Sequence, residues 1–288
     1  MMERIVSTLL ALRHGALPFV LTALFAGSAS AQAKPPDQHT EKVAAEAPKE
    51  DTISLSALLG GSLNTGNTQS WQLTTGGDFL IVRNPHSFAA GVQFAYGEAD
   101  LPDDESEGFE KTVGNLRARA RYDFFLTRMD ALFVATGFRW DEFAGLDARV
   151  QGQAGYVRYF IRTDIHRFWG EVGYDVTYDD YHPLPIIMDG EITGFTPNGD
   201  EVVHSARLFA GYDNRINEVL TYLGGLEGLL NVEEPKDLRV NFDNALRSKI
   251  GGNFSLEIKF TMLFDNVPVP GAHKLDTQTI ASVIYNLI

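Results

Sequence analysis

The chain has 288 residues, 24 of them Lys or Arg and 38 Asp or Glu, and its formal net charge is -14. Proteins that bind the phosphate backbone of nucleic acids generally carry a basic surface, so this balance argues against a nucleic-acid partner. The sequence contains no cysteine, which excludes disulfides, thiolate zinc sites and cysteine nucleophiles.

Residues 1–31 have the three regions of a secretory signal peptide. A basic N-terminal region precedes the apolar run ALPFVLTALFAGSA, and ASA at residues 29–31 matches the small-x-small cleavage pattern, with a second candidate site ending at Ala33. The alternative, a buried N-terminal helix, explains fewer of these features. Residues 32–52 are rich in Pro, Ala, Glu and Lys without an apolar face, which predicts a flexible periplasmic leader.

From Ile53 onward the hydrophobic period is two, which indicates β-strands. In FSLEIKFTMLF, for example, every second residue from Phe254 to Phe264 is apolar, and the residues between them are polar from Ser255 to Thr261. About twelve such runs lie between turn signals, and no helical period separates them. They cover residues 53–64, 71–82, 88–98, 113–125, 130–142, 147–160, 167–178, 202–213, 219–231, 238–249, 252–264 and 275–288.

The length of these runs predicts an all-β fold, an antiparallel transmembrane β-barrel of about 12 strands over residues 53–288. Many runs have ten or more residues, close to the roughly nine to eleven that cross a bilayer at the usual tilt. Connections after even-numbered strands are short, and the two longest, residues 98–112 and 179–201, both follow odd-numbered strands. This asymmetry is typical of an outer-membrane barrel with short periplasmic turns and longer extracellular loops.

Aromatic residues at the strand ends are predicted to form two interfacial girdles on the lipid-facing surface. Their abundance in strands generally is the simpler alternative, but these residues share the apolar parity of their strands. The periplasmic girdle would contain Tyr122, Phe124, Tyr156, Phe168, Tyr212 and Tyr285. The outer girdle would contain Tyr96, Phe138, Trp140, Tyr178 and Phe264.

Charged residues on the opposite parity are predicted to line the lumen, because the polar face of a membrane barrel points inward. The stretch NLRARARYDFF places three arginines on this face. Since both signs of charge share a confined space, a paired network that fills the lumen is favoured, and an anion-attracting constriction is the sharper alternative. The predicted lumen residues are Arg117, Arg119, Arg121, Arg139, Glu171, Asp175, Arg207, Glu257 and Lys259.

Several segments resemble the YdiY-like family of salt-induced outer-membrane proteins, a family without an assigned function. They are LNTGNTQSWQL (63–73), AYGEAD (95–100), the block RYDFFLTRMD to YVRYF (121–160) and GYDVTYDDY (173–181). The resemblance covers essentially residues 53–288 and implies an outer-membrane β-barrel, but no catalytic residues. The family usually ends in a Phe two residues after a Tyr, whereas Leu287 occupies that place here and Ile288 follows it.

The sequence does not favour either of two known types of barrel hydrolase. Barrel phospholipases place His and Ser two apart on one lipid-facing strand, but beside His204 the neighbour Ser205 has the opposite parity and position 206 is Ala. The loop motif DDYHP, with Asp179, Asp180 and His182, is similar to rim-protease sites and also to ordinary loops. No nucleophile–base pair can be assembled, so no catalytic residues are predicted.

The acidic loop ADLPDDESEGFE is a weak candidate for binding divalent cations. Its spacing matches no EF-hand, so a solvated acidic loop is the default interpretation. The residues concerned are Asp100, Asp103, Asp104, Glu105 and Glu107. No resident metal and no cofactor are predicted.

The sequence thus predicts an integral outer-membrane protein without enzymatic activity that serves envelope maintenance or the narrow passage of small solutes or ions. The alternative is a closed structural or adhesive barrel that acts through its acidic outer loops. The expected partners are outer-membrane lipid, lipopolysaccharide and the barrel-assembly machinery, which would engage the C-terminal strand. The oligomeric state is left open.

Overall fold

The computed structural model describes residues 51–64, 69–100, 108–183, 185–188, 191–195, 199–267 and 274–287. The predicted signal peptide and residues 32–50 of the predicted leader lie outside the described residues. Within the described ranges, no helix is long and apolar enough to span a membrane.

Twelve antiparallel strands close into a barrel in the order β1-β14-β13-β12-β11-β10-β7-β6-β5-β4-β3-β2. This confirms the predicted fold class and strand number. The barrel strands are β1 (Thr52–Asn64), β2 (Gln69–Arg83), β3 (His86–Asp100), β4 (Phe109–Phe125), β5 (Asp130–Asp141), β6 (Leu146–Arg162), β7 (His166–Tyr181), β10 (Gly199–Arg215), β11 (Leu220–Asn231), β12 (Leu238–Gly251), β13 (Phe254–Asp265) and β14 (Leu275–Asn286).

The connections differ sharply in length between the two ends of the barrel. At one end, here named the turn end, no connection exceeds the four residues 126–129 or 216–219. The other, here named the loop end, carries the three longest connections, residues 101–108, 182–198 and 266–274. The predicted asymmetry is therefore present.

The longer loop contains structure that the sequence pattern did not reveal. A two-stranded antiparallel sheet forms from β8 (Pro185–Met188) and β9 (Glu191–Phe195). The strands on either side also run further than predicted, because β7 continues to Tyr181 and β10 begins at Gly199. At the loop between β5 and β6, the Asp141 carboxylate caps a single 3-10 turn that Gly145 ends with a φ of 63°.

The barrel places apolar side chains outside and charges inside. On β4, Tyr122 and Phe124 are each 37% exposed on the outer surface, whereas their neighbours Arg121 and Asp123 are each 2% exposed. The other predicted turn-end aromatic residues, Tyr156, Phe168, Tyr212 and Tyr285, are likewise exposed. Because successive side chains of a strand point to opposite faces, alternating apolar and polar residues produce both the apolar outer surface and the charged lumen.

One part of the lumen is packed with apolar and aromatic side chains, which the parity argument did not predict. This aromatic core lies toward the turn end, on the side of β4 to β7 and β10. Its buried residues are Phe125, Ala131, Phe133, Val157, Tyr159, Trp169 and Phe209. Rings therefore fill the space between these strands, and the lumen is narrower than its strand number alone implies.

Replacing Phe133 by Ala is expected to destabilise the refolded barrel by about 3 kcal/mol, because it leaves a cavity among packed rings. Phe133 is 2% exposed, and the guanidinium carbon of Arg121 lies 4.2 Å from its ring centroid. The measurement is urea unfolding in lipid vesicles. Leu132→Ala is the control, since Leu132 is 47% exposed on the lipid side and lipid can fill the space. Equal losses for the two variants would contradict the packed core.

Candidate functional site in the barrel lumen

A network of buried ion pairs spans the lumen beside the aromatic core. The Arg121 guanidinium donates to both Asp123 oxygens on its own strand, at 2.9 and 3.1 Å, and to both Glu171 oxygens on β7 at 3.1 Å. Trp169 Nε1 also donates to Glu171 Oε1 at 3.2 Å. Since β5 and β6 separate β4 from β7 in the wall, these bonds cross the interior.

Arg207 extends this network to β11. Its Nη1 donates to Glu171 Oε2 at 2.7 Å, and its Nε donates to Glu227 Oε1 at 2.6 Å. Asn241 then donates to Glu227 Oε2 at 2.8 Å. All these groups are buried, and since an unpaired buried charge is strongly unfavourable, each member depends on its partners. The cross-lumen network is defined as Arg121, Asp123, Glu171, Arg207 and Glu227.

A second set of pairs fills the loop half of the lumen. Arg149 donates from Nε and Nη2 to the Asp179 carboxylate at 2.5 and 2.6 Å, and Arg139 donates to Asp141 at 2.9 Å. Asp175 is fully buried and accepts from Gln151 at 2.6 Å and Gln153 at 2.9 Å. These side chains hold one another in fixed positions.

Further pairs join neighbouring or facing strands around the wall. Arg119 Nη2 lies 3.0 Å from Asp78 Oδ1, and the Lys259 ammonium lies 3.5 Å from Asp243 Oδ1. Arg247 Nε donates to Glu257 Oε2 at 2.8 Å, and Arg167 pairs with Asp213 at 2.6 Å. Paired charges therefore occupy much of the lumen outside the aromatic core.

A cavity of about 410 Å³ remains among these pairs. Seven cationic side chains but only three carboxylates line it. The cations are Arg117, Arg119, Arg139, Arg149, Arg167, Arg247 and Lys259, and the carboxylates are Asp78, Asp213 and Glu257. The carboxylates that pair with Arg139, Arg149 and Lys259 are not lining residues, so the cavity surface is rich in donors.

Three of these arginines stand side by side. Arg117 on β4 lies directly opposite Arg139 on β5, and Arg139 lies directly opposite Arg149 on β6. Like charges on adjacent strands repel one another. The carboxylates Asp141 and Asp179 offset this repulsion and orient the guanidinium groups.

The predicted lumen residues separate into three groups. Arg117, Arg119, Arg139, Glu257 and Lys259 line the cavity. Arg121, Glu171 and Arg207 belong to the cross-lumen network, and Asp175 lies in the buried loop half. Their assignment to a constriction stays a prediction.

Asp78 and Asp213 were not among the predicted residues, although the alternation of β2 and β10 places them inward. Among the predicted cation-loop residues, Asp103, Asp104, Glu105 and Glu107 lie outside the described residues, and Asp100 ends β3. In the described part of the chain, no cluster of three or more His, Asp or Glu side chains could hold a metal ion.

The residues weighed for hydrolysis are engaged elsewhere. His204 stacks on Tyr174 outside the barrel, with its Nδ1 2.6 Å from the phenol oxygen, while Ser205 is buried on the lumen side. Asp179 pairs with Arg149, and His182 Nδ1 lies 2.8 Å from Asp147 Oδ1. The contacts of these residues therefore differ from those that the phospholipase-like and protease-like sites would require.

The sequence profile of a family described as "Protein of unknown function, DUF481" matches residues 57–287. Among curated proteins, none matches the chain significantly.

Several solved structures are similar to the chain at low identity. The NanC porin is 10% identical, with 81% of this chain and 100% of that chain covered and a TM-score of 0.48. An outer membrane channel from Pseudomonas putida F1 is 10% identical, with 87% and 100% covered and a TM-score of 0.48. The translocator domain of autotransporter NalP from Neisseria meningitidis is 12% identical, with 81% and 86% covered and a TM-score of 0.43.

Replacing Glu171 by Gln is expected to destabilise the barrel by about 3 kcal/mol, since it removes the charge that Arg121 and Arg207 share. Urea unfolding in vesicles measures the loss. The control is Asp51→Asn, which breaks the exposed pair with Arg83 and should cost under about 1 kcal/mol. If Glu171→Gln were as mild as the control, the network would contribute little to stability.

Proposed function

We propose that this chain, which belongs to the DUF481 family of YdiY-like outer-membrane β-barrels, is a narrow passage for small anions. The observation that carries the proposal is the cavity of about 410 Å³, lined by seven cations and three carboxylates within a protein of net charge -14. Rings of basic side chains select anions in pores.

Electrostatics favours an anion in this cavity. The barrel wall and the surrounding lipid have a low dielectric constant, so they concentrate the field of the lining charges into the lumen. Because partner carboxylates such as Asp141 and Asp179 hold Arg139 and Arg149 in place, these donors face the cavity without needing to reorganise. An entering anion therefore exchanges water for fixed N–H donors.

Packing restricts passage to small solutes. The aromatic core and the cross-lumen network occupy the β4–β7 and β10 side, and the loop half is filled by buried pairs such as Arg149 with Asp179. A passing anion must therefore follow the cationic wall. The same packing favours the second candidate, a closed structural barrel, if the buried loop half never opens.

The proposal places the turn end in the periplasm and the loop end outside the cell, after export with a cleaved signal peptide. The outward side chains of β14, including Leu275, Val283 and Tyr285, would contact lipid and present the assembly signal. Lipid, lipopolysaccharide and the barrel-assembly machinery are the proposed partners, and no catalysis is proposed.

Arg117→Gln and Lys259→Gln are each expected to lower the anion preference of the refolded barrel in a planar bilayer. A unit charge about 8 Å from an ion in water is worth about 0.5 kcal/mol, which corresponds to roughly a twofold change in occupancy. The measurement is the reversal potential across a KCl gradient.

Arg158→Gln is the matched control, because it removes the same charge from an exposed side chain that pairs with Asp130 on the outer side of the wall. Its anion preference should equal that of the parent. A correctly folded barrel without conductance would overturn the passage and support the closed structural barrel.

A further inference from the structure

The barrel closes through an unusually short seam. β1 and β14 pair over five residues each, Ser56–Gly60 opposite Ser282–Asn286, whereas all other neighbouring barrel strands pair over eleven or more. Toward the loop end, within the described residues, Gly61–Asn64 pair with β2, Gln278–Ala281 pair with β13, and no strand pairing joins these two stretches.

The two strands are in close contact up to the point where they part. A Cβ on Gly60 would lie 2.6 Å from Ser282 Oγ and 2.8 Å from the Ala281 carbonyl oxygen, so only glycine fits there. The next opposite residues would be Gly61 with Ala281, but this pairing is not made. The seam thus changes from tight packing to an opening within one residue.

Unpaired backbone groups are costly in the hydrocarbon region unless they line a polar space or meet a partner. The outward Leu59 and Leu63 on β1 are 58% and 73% exposed, so the apolar outer surface continues along the unpaired part of the strand. The opening therefore faces an environment that offers the freed backbone no hydrogen bonds, and something polar must reach it from the lumen side.

The cavity reaches this opening, where Leu58 of β1 and Ile280 of β14 form an apolar wall. Leu80 and Val82 line the cavity farther toward the turn end, opposite Ser54 and Thr52. This apolar wall is separate from the aromatic core, which lies on the side of β4 to β7 and β10. The cations lie elsewhere on the cavity surface, chiefly on β4 to β6, β12 and β13.

Lys259 lies between the apolar wall and the cationic part of the cavity surface. It lies directly opposite Ile280, which itself lies on the unpaired part of β14. Its ammonium is 3.5 Å from Asp243, and the charges of Arg117 and Arg119 across the lumen act on it. A molecule held here would meet apolar side chains at one end and several N–H donors at the other.

We propose that the cavity binds an amphipathic anion, with its carboxylate, sulfate or phosphate group at Lys259, Arg117 and Arg119 and its apolar part against Leu58 and Ile280. Such a molecule moves between the lumen and the membrane through the open seam. This inference rests on the proposed anion passage and names its substrate class. The cavity volume lies within the range of small-molecule sites, about 300–1,000 Å³.

The chain offers a built-in reporter of binding. It has three tryptophans, and Trp169 is the one that lines the cavity. With Trp71→Phe and Trp140→Phe, the remaining fluorescence comes from the lumen. In vesicles, 2-bromododecanoate, whose bromine lies beside the carboxylate, should quench Trp169 saturably, dodecanoate should compete, and acetate should not. Lys259→Gln should raise the half-saturating concentration by about tenfold, the value of a lost charge-assisted bond, and Arg158→Gln should not.

Brominated phosphatidylcholine, which cannot enter the lumen, is the control for quenching through the bilayer and should leave Trp169 bright. Quenching that is linear with ligand in the membrane, or unchanged by Lys259→Gln, would overturn the amphipathic site. If chloride conductance persists in that case, the passage of small anions stands and only this inference fails. If saturable quenching occurs in a barrel without conductance, the passage fails instead.

The lateral route is tested by closing the seam. Leu63→Cys with Thr279→Cys places two thiols across the opening in a chain that has no other cysteine, and thiol-reactive cross-linkers of increasing length bridge whatever separation the strands keep. Bridging should slow the onset of quenching several-fold. The control bridges Leu63→Cys to Trp71→Cys, directly opposite on β2, and should not slow it. An unchanged rate after bridging the seam would refute lateral entry.

Discussion

The hydrocarbon region of a bilayer offers no hydrogen-bond partner to the backbone, and most features of this barrel follow from that constraint. A chain that crosses with strands must pair every N–H and C=O with a neighbouring strand, which requires closure. In a closed barrel, one face of each strand contacts lipid and the other face lines the lumen. The alternation that exposes Tyr122 and Phe124 therefore buries Arg121 and Asp123 on the same strand.

Once charges face a confined lumen, pairing decides its shape. Glu171 is buried because Arg121 and Arg207 approach it from opposite sides, and those arginines are in turn held by Asp123 and Glu227. Each pair that crosses the interior reduces the volume of the lumen that is open to solutes. The open space is lined by cations, and the carboxylates that pair with Arg139, Arg149 and Lys259 do not reach its surface. The same pairs that stabilise the barrel therefore also produce a donor-rich cavity.

The period-two alternation of the sequence made the strand number, the inward charges and the outward aromatic residues of the turn end predictable, because side-chain direction depends only on parity. Contacts across the lumen were not predictable, because they depend on strand stagger and tilt. Parity alone thus predicts that Arg121 and Glu171 face the lumen, but it does not predict that they form an ion pair. Inward apolar residues such as Leu58 and Trp169 were not predicted, because the alternation argument assumes that inward side chains are polar. The hairpin β8–β9 was not predicted, because long connections were assumed to be irregular.

The seam shows how the closure constraint can be relaxed without unfolding the wall. All other barrel neighbours are consecutive strands or flank a loop, but β1 and β14 come from opposite ends of the chain, so no connection enforces their pairing. Unpaired backbone at membrane depth is tolerated where it borders a polar cavity. The unpaired stretch of β14 borders such a cavity at Ile280, beside Lys259. The weakest closure of the barrel therefore coincides with the place where its interior can supply polar partners, and an opening there connects the donor-rich lumen to the surrounding lipid.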